Sequence, residues 1–323
     1  MGLHKDQLYV LNTGIITVFR FSSVPFCDIY TITIDFQPNE AEVFMARRFT
    51  REEILARLRS QIQRKKPILI FGAGSGLTAK SAEVGGADII AVYSTAIYRM
   101  RGLPSLLAFL PYSDANAHAK NMAAEILPAV KDTPCIVGIG AHDLTLNQEK
   151  FMEDMLELGF SGFTNEPFVG IYGSEFAAQL ESVGIGFSQE VAMIRHAHKK
   201  QNFTLAWVFS PGEAKIMVEA GSDMVGAHLG VTAGGLTGAK ETMDLKSAIE
   251  AVKEMCDAAR SVNPAVLVIT HGGPFKDPAS AELSIRGTGA VGYASGSSGE
   301  RLPTEQAITE ITRRYKTMKT SEQ

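Results

Sequence analysis

Three histidines and three acidic residues stand where chemistry would be expected, just after short apolar runs: His142, His228 and His271, and Asp143, Glu166 and Glu300. Glu166 lies between Asn165 and Pro167. A carboxylate partly withdrawn from water at such a place takes a raised pKa and can act as general base or acid. The alternative for Glu166 is a helix cap or structural hydrogen bond. Pro167 restricts the backbone before it to extended conformations, which would hold Glu166 in place. A histidine beside Glu166 could stabilise or protonate a developing oxyanion. Any one histidine is as readily a structural hydrogen-bonding group, but three on one rim favour chemistry, with Asp143 beside His142.

Glycine and serine runs supply the binding signal. Gly72-Ala-Gly74-Ser75-Gly76, Tyr93-Ser94-Thr95, His271-Gly272-Gly273-Pro274 and Ser295-Gly296-Ser297-Ser298-Gly299-Glu300-Arg301 each follow an apolar run. Glycines let backbone N–H groups approach an anion, and serine hydroxyls add donors. Arg301 could grip a phosphate or carboxylate through two hydrogen bonds. Otherwise the run is a flexible connection, with Arg301 in a surface ion pair. Gly72, Gly74, Ser75, Tyr93, Asn165, Gly272, Gly273, Ser295, Gly296, Ser297, Ser298 and Arg301 are the expected substrate-side residues. The stretch from Gly230 to Gly238 reads as a flap. No lysine ends a strand candidate, which argues against Schiff-base chemistry.

Eight strands would carry these residues: Pro67–Phe71, Asp88–Val92, Cys135–Ile139, Gly159–Phe163, Phe203–Phe209, Asp223–Ala227, Ala265–Ile269 and Ala290–Tyr293. They lack alternation, as parallel strands buried on both faces do. Amphipathic helices separate them. In Asp244–Ser261, Leu245, Ala248, Ile249, Val252, Met255, Cys256 and Ala259 form one stripe. Ser210-Pro211-Gly212-Glu213 opens another helix with a capping box. Glu83-Val-Gly85, Glu157-Leu-Gly159 and Glu219-Ala-Gly221 recur before strands, with glycine expected to close each helix left-handed. Eight such units predict an α/β fold, a (β/α)8 TIM barrel with its site on the loops at the C-terminal strand ends, rather than a five- or six-stranded open sheet. Two helices are expected after the fourth strand, near Ser174–Val183 and Ser188–Lys200.

Residues 47–323 are assigned to the barrel and 1–46 to an N-terminal extension. Thr50 and Glu53 form a capping box on a helix before the first strand. Tyr9–Phe36, rich in Ile, Thr, Val and Phe, suits one or two extra strands or an arm, and the functional chain is expected to begin near Met45. Arg20 and Asp28 interrupt its apolar residues, unlike a usual signal peptide.

The 323 residues carry a net charge of −4, with 45% hydrophobic and 20% charged residues. A large core is possible, and nothing calls for nucleic acid. No apolar run is long enough to cross a bilayer. Cys27, Cys135 and Cys256 show no zinc spacing and read as buried thiols of a cytoplasmic protein. The long connection after the second strand carries Leu103, Leu106, Leu107, Phe109 and Leu110. It is expected to be a lid or the contact of a homo-oligomer.

Pro67-Ile-Leu-Ile-Phe-Gly-Ala-Gly-Ser-Gly-Leu-Thr-Ala-Lys, Gly138-Ile-Gly-Ala-His-Asp, Gly162-Phe-Thr-Asn-Glu-Pro and Ile269-Thr-His-Gly-Gly-Pro together resemble the phosphoenolpyruvate hydrolase-like TIM-barrel family over about residues 47–318. That family is similar to the phosphoenolpyruvate/pyruvate barrel superfamily and to indole-glycerol-phosphate synthase barrels. A related barrel resembles the C-terminal domain of a plant virus-resistance protein, which implies that protein binding is conceivable in the family. The resemblance implies hydrolase, lyase or mutase-like chemistry on a small phosphorylated or carboxylated metabolite. Superfamily enzymes usually hold Mg2+ with carboxylates after the early strands. Here those positions offer Tyr93-Ser94 and Asp143, so Mg2+ would rest on Asp143, Glu166 and substrate oxygens. The alternatives are a flavin (FMN) oxidoreductase, since the same loops suit a flavin phosphate, and a non-enzymatic barrel binding a metabolite or a protein.

Overall fold

Thr50 opens helix α1 (Arg51–Gln63) with the capping box expected of it: its side chain accepts the Glu53 N–H, and the Glu53 carboxylate accepts the Thr50 N–H at 2.8 Å. The computed structural model describes residues 47–320 and the backbone of three short strands before them. Those strands, β1 (Leu8–Val10), β2 (Ile16–Phe19) and β3 (Ile29–Ile32), pair antiparallel in sequence order. Three strands thus stand where one or two were expected. The chain divides into Met1–Phe44 and Met45–Gln323.

Eight parallel strands close a barrel: β4 (Ile68–Gly72), β5 (Ile89–Val92), β6 (Cys135–Gly138), β7 (Gly162–Thr164), β8 (Phe203–Val208), β9 (Met224–His228), β10 (Leu267–His271) and β11 (Gly292–Ser295). Every expected strand is present. Near-complete burial of β5 to β9 explains their unbroken apolar runs.

The helices are α2 (Gly76–Val84), α3 (Ser94–Met100), α4 (Ala115–Ile126), α5 (Gln148–Glu157), α6 (Ser174–Ser182), α7 (Phe187–Lys199), α8 (Pro211–Glu219), α9 (Leu245–Val262), α10 (Pro278–Thr288) and α11 (Arg301–Lys316). α6 and α7 are the pair expected after the fourth barrel strand. In α9 the Asp244 carboxylate accepts the Lys246 and Ser247 N–H groups, and Ala248, Val252, Met255, Cys256 and Ala259 are buried.

Two local readings are corrected. Gly85 is right-handed at φ −72°, and its neighbour Gly86, at φ +89°, makes the left-handed turn. The helix has simply ended one residue later, at a position where only glycine avoids the Cβ penalty. At α8, Ser210 accepts the Glu213 N–H, but the Glu213 carboxylate reaches past the cap to the Phe209 N–H at 2.7 Å.

Cys135 and Cys256 are buried, which pushes both thiols up, that of Cys256 to about 11. Cys27 lies outside the described residues. Among the described residues no helix is long and apolar enough to cross a membrane.

Candidate active site

The C-terminal strand ends enclose a cavity of about 60 Å3. Tyr93, Arg99, Glu166, Trp207, His228 and His271 line it. The connection after β5 folds over it as a lid: α3 and a short 3-10 turn, Ser105–Phe109, bring Ser105, Leu106 and Phe109 to its wall. Leu103, Leu106 and Leu110 stay 41–46% exposed on that lid.

Glu166 is 3% exposed. Its carboxylate, delivered by β7, accepts the backbone N–H groups of Ser94 at 3.1 Å and Thr95 at 3.3 Å, the first residues of α3. It thus caps a helix and also faces the cavity, so both readings of Glu166 hold together. Burial pushes its pKa up to about 7, against the Thr95 and Ser94 hydrogen bonds and the Arg99 charge, which pull it down. The Glu166–Pro167 peptide bond is cis.

Arg99, on α3, is the buried cation of the site. It pairs with Glu300 and donates to the Gly72 carbonyl. The other Glu300 oxygen accepts the Gly74 N–H and the Thr78 hydroxyl, each at 2.6 Å. The Arg99 guanidinium carbon lies 5.8 Å from the centroid of the Tyr93 ring. A Cβ on Gly72 would fall 1.9 Å from the Tyr93 hydroxyl, so glycine at the end of β4 is what lets the phenol reach the cavity. Desolvation raises the Tyr93 pKa and keeps the phenol neutral.

His228 and His271 end neighbouring strands with ring centroids 4.7 Å apart. The Gly230 N–H can only donate, so His228 Nδ1, 2.9 Å away, is the acceptor and Nε2 carries the proton. The Ala294 carbonyl can only accept, so His271 Nδ1, at 2.7 Å, is protonated and Nε2 keeps a lone pair. Burial among Phe168, Trp207 and Phe209 lowers the pKa of His228 well below its usual value. Burial also lowers His271 to about 4, and the Arg99 charge adds to the effect. The pair offers one neutral donor and one neutral acceptor.

Asn165 is fully buried beneath the site. Its amide accepts the Trp207 backbone N–H at 2.7 Å and donates to the Trp207 carbonyl at 3.1 Å, which pins the β8 backbone that carries the indole at the cavity wall. It also donates to Glu190, whose carboxyl accepts the Val169 N–H at 2.8 Å and is pushed up to about 8 by burial.

Other expected residues lie apart. His142 and Asp143 line a separate cleft of about 680 Å3, beyond Phe109 and Phe168. Asp143 accepts the Thr145 N–H at 2.9 Å and hydroxyl at 2.6 Å, which hold its carboxyl low. Ser75 caps α2 through the Thr78 N–H. Gly272 and Gly273 stitch two loops together: the Gly273 N–H donates to Gly230, and its carbonyl accepts the Ala233 N–H at 3.0 Å. Ser297 lines the main cavity, and Gly296 lies beside Arg99 and His271. Ser295 and Ser298 face a different groove, where the Ser298 hydroxyl meets that of Tyr293 at 2.8 Å. Arg301 is 4% exposed, paired with Glu305 at 3.0 Å and donating to the Gly234 carbonyl at 2.9 Å. It clamps the flap and does not line the cavity.

Arg99, Phe168 and Trp207 carry no signal in the sequence, although all three line the cavity. Arg99 sits inside a short helix with no motif around it, and only its burial reveals it.

The donor set does not fit Mg2+, which takes several oxygen ligands. Glu166 is engaged by two N–H groups, Glu300 by Arg99, Gly74 and Thr78, and Asp143 lies in the other cleft. Among the described residues no three His, Cys, Asp or Glu side chains gather as a metal site. A flavin ring is also disfavoured. A three-ring flavin is far larger than the small anions that the cavity of about 60 Å3 at the strand ends suits.

The chain is similar to the ToMV susceptible protein tm-1(GCR26) of Solanum lycopersicum, 41% identical over 82% of this chain and 35% of that protein. It is 32% identical to the putative transcriptional regulatory protein y4pA of Sinorhizobium fredii, over 86% of this chain and 46% of that one. It therefore spans a third to a half of the length of these relatives. Among solved structures, a phosphonopyruvate hydrolase complex with oxalate and Mg2+ superposes with a TM-score of 0.56 at 16% identity, covering 83% of this chain and 87% of that one, which shows a shared barrel fold. The model of the phosphoenolpyruvate hydrolase-like family matches residues 53–318, and the chain belongs to that family.

Proposed function

We propose that this barrel is an enzyme acting on a small carboxylated or phosphorylated anion of the phosphoenolpyruvate or 2-oxo-acid type, with Glu166 as general base. The observation that carries the reading is a buried carboxyl of pKa about 7 sharing a cavity with a buried arginine. A group poised near neutral pH is suited to take a proton in the transition state. Glu166 would accept the proton from the carbon beside a carbonyl, and the electron pair would move to the carbonyl oxygen. Arg99, together with the neutral N–H of His228, would stabilise that oxyanion. The cavity volume favours a molecule of a few heavy atoms, and the hydrolase, lyase or mutase outcome depends on what leaves the adjacent carbon.

The test is calorimetry with oxalate and pyruvate, with and without Mg2+, followed by turnover assays on a panel of small 2-oxo acids. Binding lost in Arg99→Met and turnover lost in Glu166→Gln are expected. No binding of any small acid would sink the reading. That result would favour a non-enzymatic, partner-binding barrel, a second reading that the names of the tomato and rhizobial relatives support.

A further inference from the structure

Most polar groups around the cavity are already committed. Glu166 accepts two backbone N–H groups, and Arg99 is held by Glu300 and the Gly72 carbonyl. His228 and His271 each use Nδ1 on the backbone, and among the described residues nothing bonds to either Nε2. Neither Nε2 is sealed within protein, as the Trp207 indole nitrogen is, so both open onto the cavity that the rings line. The His228 N–H, with Arg99, has an oxyanion to hold. The lone pair on His271 Nε2 has no task in that scheme.

That lone pair is fixed in place. The Ala294 carbonyl, 2.7 Å from Nδ1, can only accept, so moving the ring proton to Nε2 would set two lone pairs against each other. Adding a second proton is opposed by burial and by the Arg99 guanidinium. The backbone cannot give way either. The His271 carbonyl accepts the Leu229 N–H at 3.0 Å, and a Cβ on Gly272 would fall 2.2 Å from the Gly230 carbonyl oxygen. The ring is wedged with its centroid 4.7 Å from that of His228 and 5.2 Å from that of Trp207. A Cβ on Gly296 would lie 3.3 Å from both His271 Cε1 and an Arg99 nitrogen, so glycine there leaves the imidazole and the guanidinium room side by side.

We propose that His271 sets substrate choice, its Nε2 accepting a hydrogen bond from a hydroxyl on the carbon next to the 2-oxo group. The inference rests on the function proposed above and narrows its 2-oxo acids to those that carry this hydroxyl. A carboxylate or carbonyl oxygen would bring a second lone pair to Nε2, and a methyl group would leave a buried acceptor unpaired. The two rings are neighbours, one offering an N–H and the other a lone pair. Oxygens on adjacent carbons can meet both: the carbonyl oxygen takes the His228 proton, and the hydroxyl gives its own to His271. The hydroxyl then stands on the carbon from which Glu166 would take a proton. A site built to bond a substrate hydroxyl rejects the analogue without it, because the site's own buried group is left unpaired.

Calorimetry on the full chain at neutral pH tests this with hydroxypyruvate and 2-oxobutyrate, which are equal in charge and nearly in shape, a hydroxyl replacing a methyl group. Hydroxypyruvate is expected to bind about tenfold tighter or more. His271→Phe, which removes the acceptor, should hold the two acids alike. Nitrogen-15 spectra of the imidazole rings read the same contact in the wild type, without a variant. They should show the proton on Nδ1 of His271 and on Nε2 of His228. The bare His271 Nε2 signal should shift with hydroxypyruvate and not with 2-oxobutyrate. A His271 protonated at Nε2 overturns the proposal, and so does a preference for hydroxypyruvate that survives in a folded His271→Phe. A wild type that takes both acids equally well overturns it too, while leaving the 2-oxo-acid reading standing. If neither acid binds, that reading fails and this proposal with it.

Discussion

The Glu166 carboxylate accepts the Ser94 N–H at 3.1 Å, so a residue delivered by β7 caps the helix that follows β5 and ties two neighbouring loops of the rim together. The same contact holds a buried carboxyl at the positive end of a helix. Two effects compete there, and burial outweighs the N–H groups, leaving the pKa at about 7.

Glu166→Gln should therefore keep the fold and lose about 1 kcal/mol, since an amide can still accept one of the two N–H bonds. Turnover should fall roughly 10²–10⁴-fold. In the wild type, activity should rise with pH through about 7 as the base loses its proton. Carbon-13 spectra of labelled glutamate should show a carboxyl titrating there that the variant lacks. A Glu166 signal already ionised at pH 5 would end its role as a neutral-pH base.

Arg99→Met leaves Glu300 buried without its cation, and breaking a buried pair costs about 3–5 kcal/mol. Arg99→Met/Glu300→Gln removes the stranded charge and should recover part of that loss. Neither variant should bind oxalate with better than a tenth of the wild-type affinity, because a charged hydrogen bond is worth roughly 1.5–3 kcal/mol. Stability and binding would thus separate in denaturant melts and calorimetry. Wild-type affinity in the double variant would move the anion elsewhere.

The barrel was legible because burial on both strand faces leaves its mark on residue type, and Thr50 or Ser210 signal helix starts locally. Glu166, His228 and His271 were legible because strand ends converge by construction. What failed was the distinction between a glycine that frees an N–H for a ligand and one that lets two loops touch. Gly72 admits the Tyr93 hydroxyl, while Gly273 bonds to Gly230. Each is a glycine at or just past a strand end, and only the partner across space tells them apart. For that reason Arg99 takes the place in the cavity that was expected of Arg301. Arg301 follows the serine run yet spends its charge on Glu305, and Arg99, four residues past Thr95, reaches the cavity.

Arg301→Ala should loosen the flap. It removes the bond to the Gly234 carbonyl and the pair with Glu305, so a loss of about 1–3 kcal/mol is expected. Hydrogen exchange should quicken between residues 232 and 239, and oxalate affinity should change less than in Arg99→Met. A larger loss of affinity than in Arg99→Met would return the anion to Arg301.

Glu190 makes stability depend on pH with a sign opposite to that of an ordinary surface carboxylate. Its folded carboxyl titrates at about 8, against 4.5 ordinarily. Between those values the folded chain holds a proton that the unfolded chain has lost. Stability is therefore fully present below about 4.5, declines as pH rises, and levels off above about 8. Glu166 adds the same trend up to about 7. The neutral His271, titrating at about 4, acts in the other direction, but only below 6.5. The window from 6.5 to 8 is thus the one in which the two carboxyls act without opposition from His271. One pKa unit corresponds to about 1.4 kcal/mol, so the decline across that window should be on the order of 2 kcal/mol. Urea unfolding at both ends should show it in the wild type. It should shrink in Glu190→Gln, whose side chain cannot ionise, and nearly vanish in Glu166→Gln/Glu190→Gln. A wild-type stability that rises from 6.5 to 8 would mean that Glu190 is ionised within the fold, with a cation or water beside it.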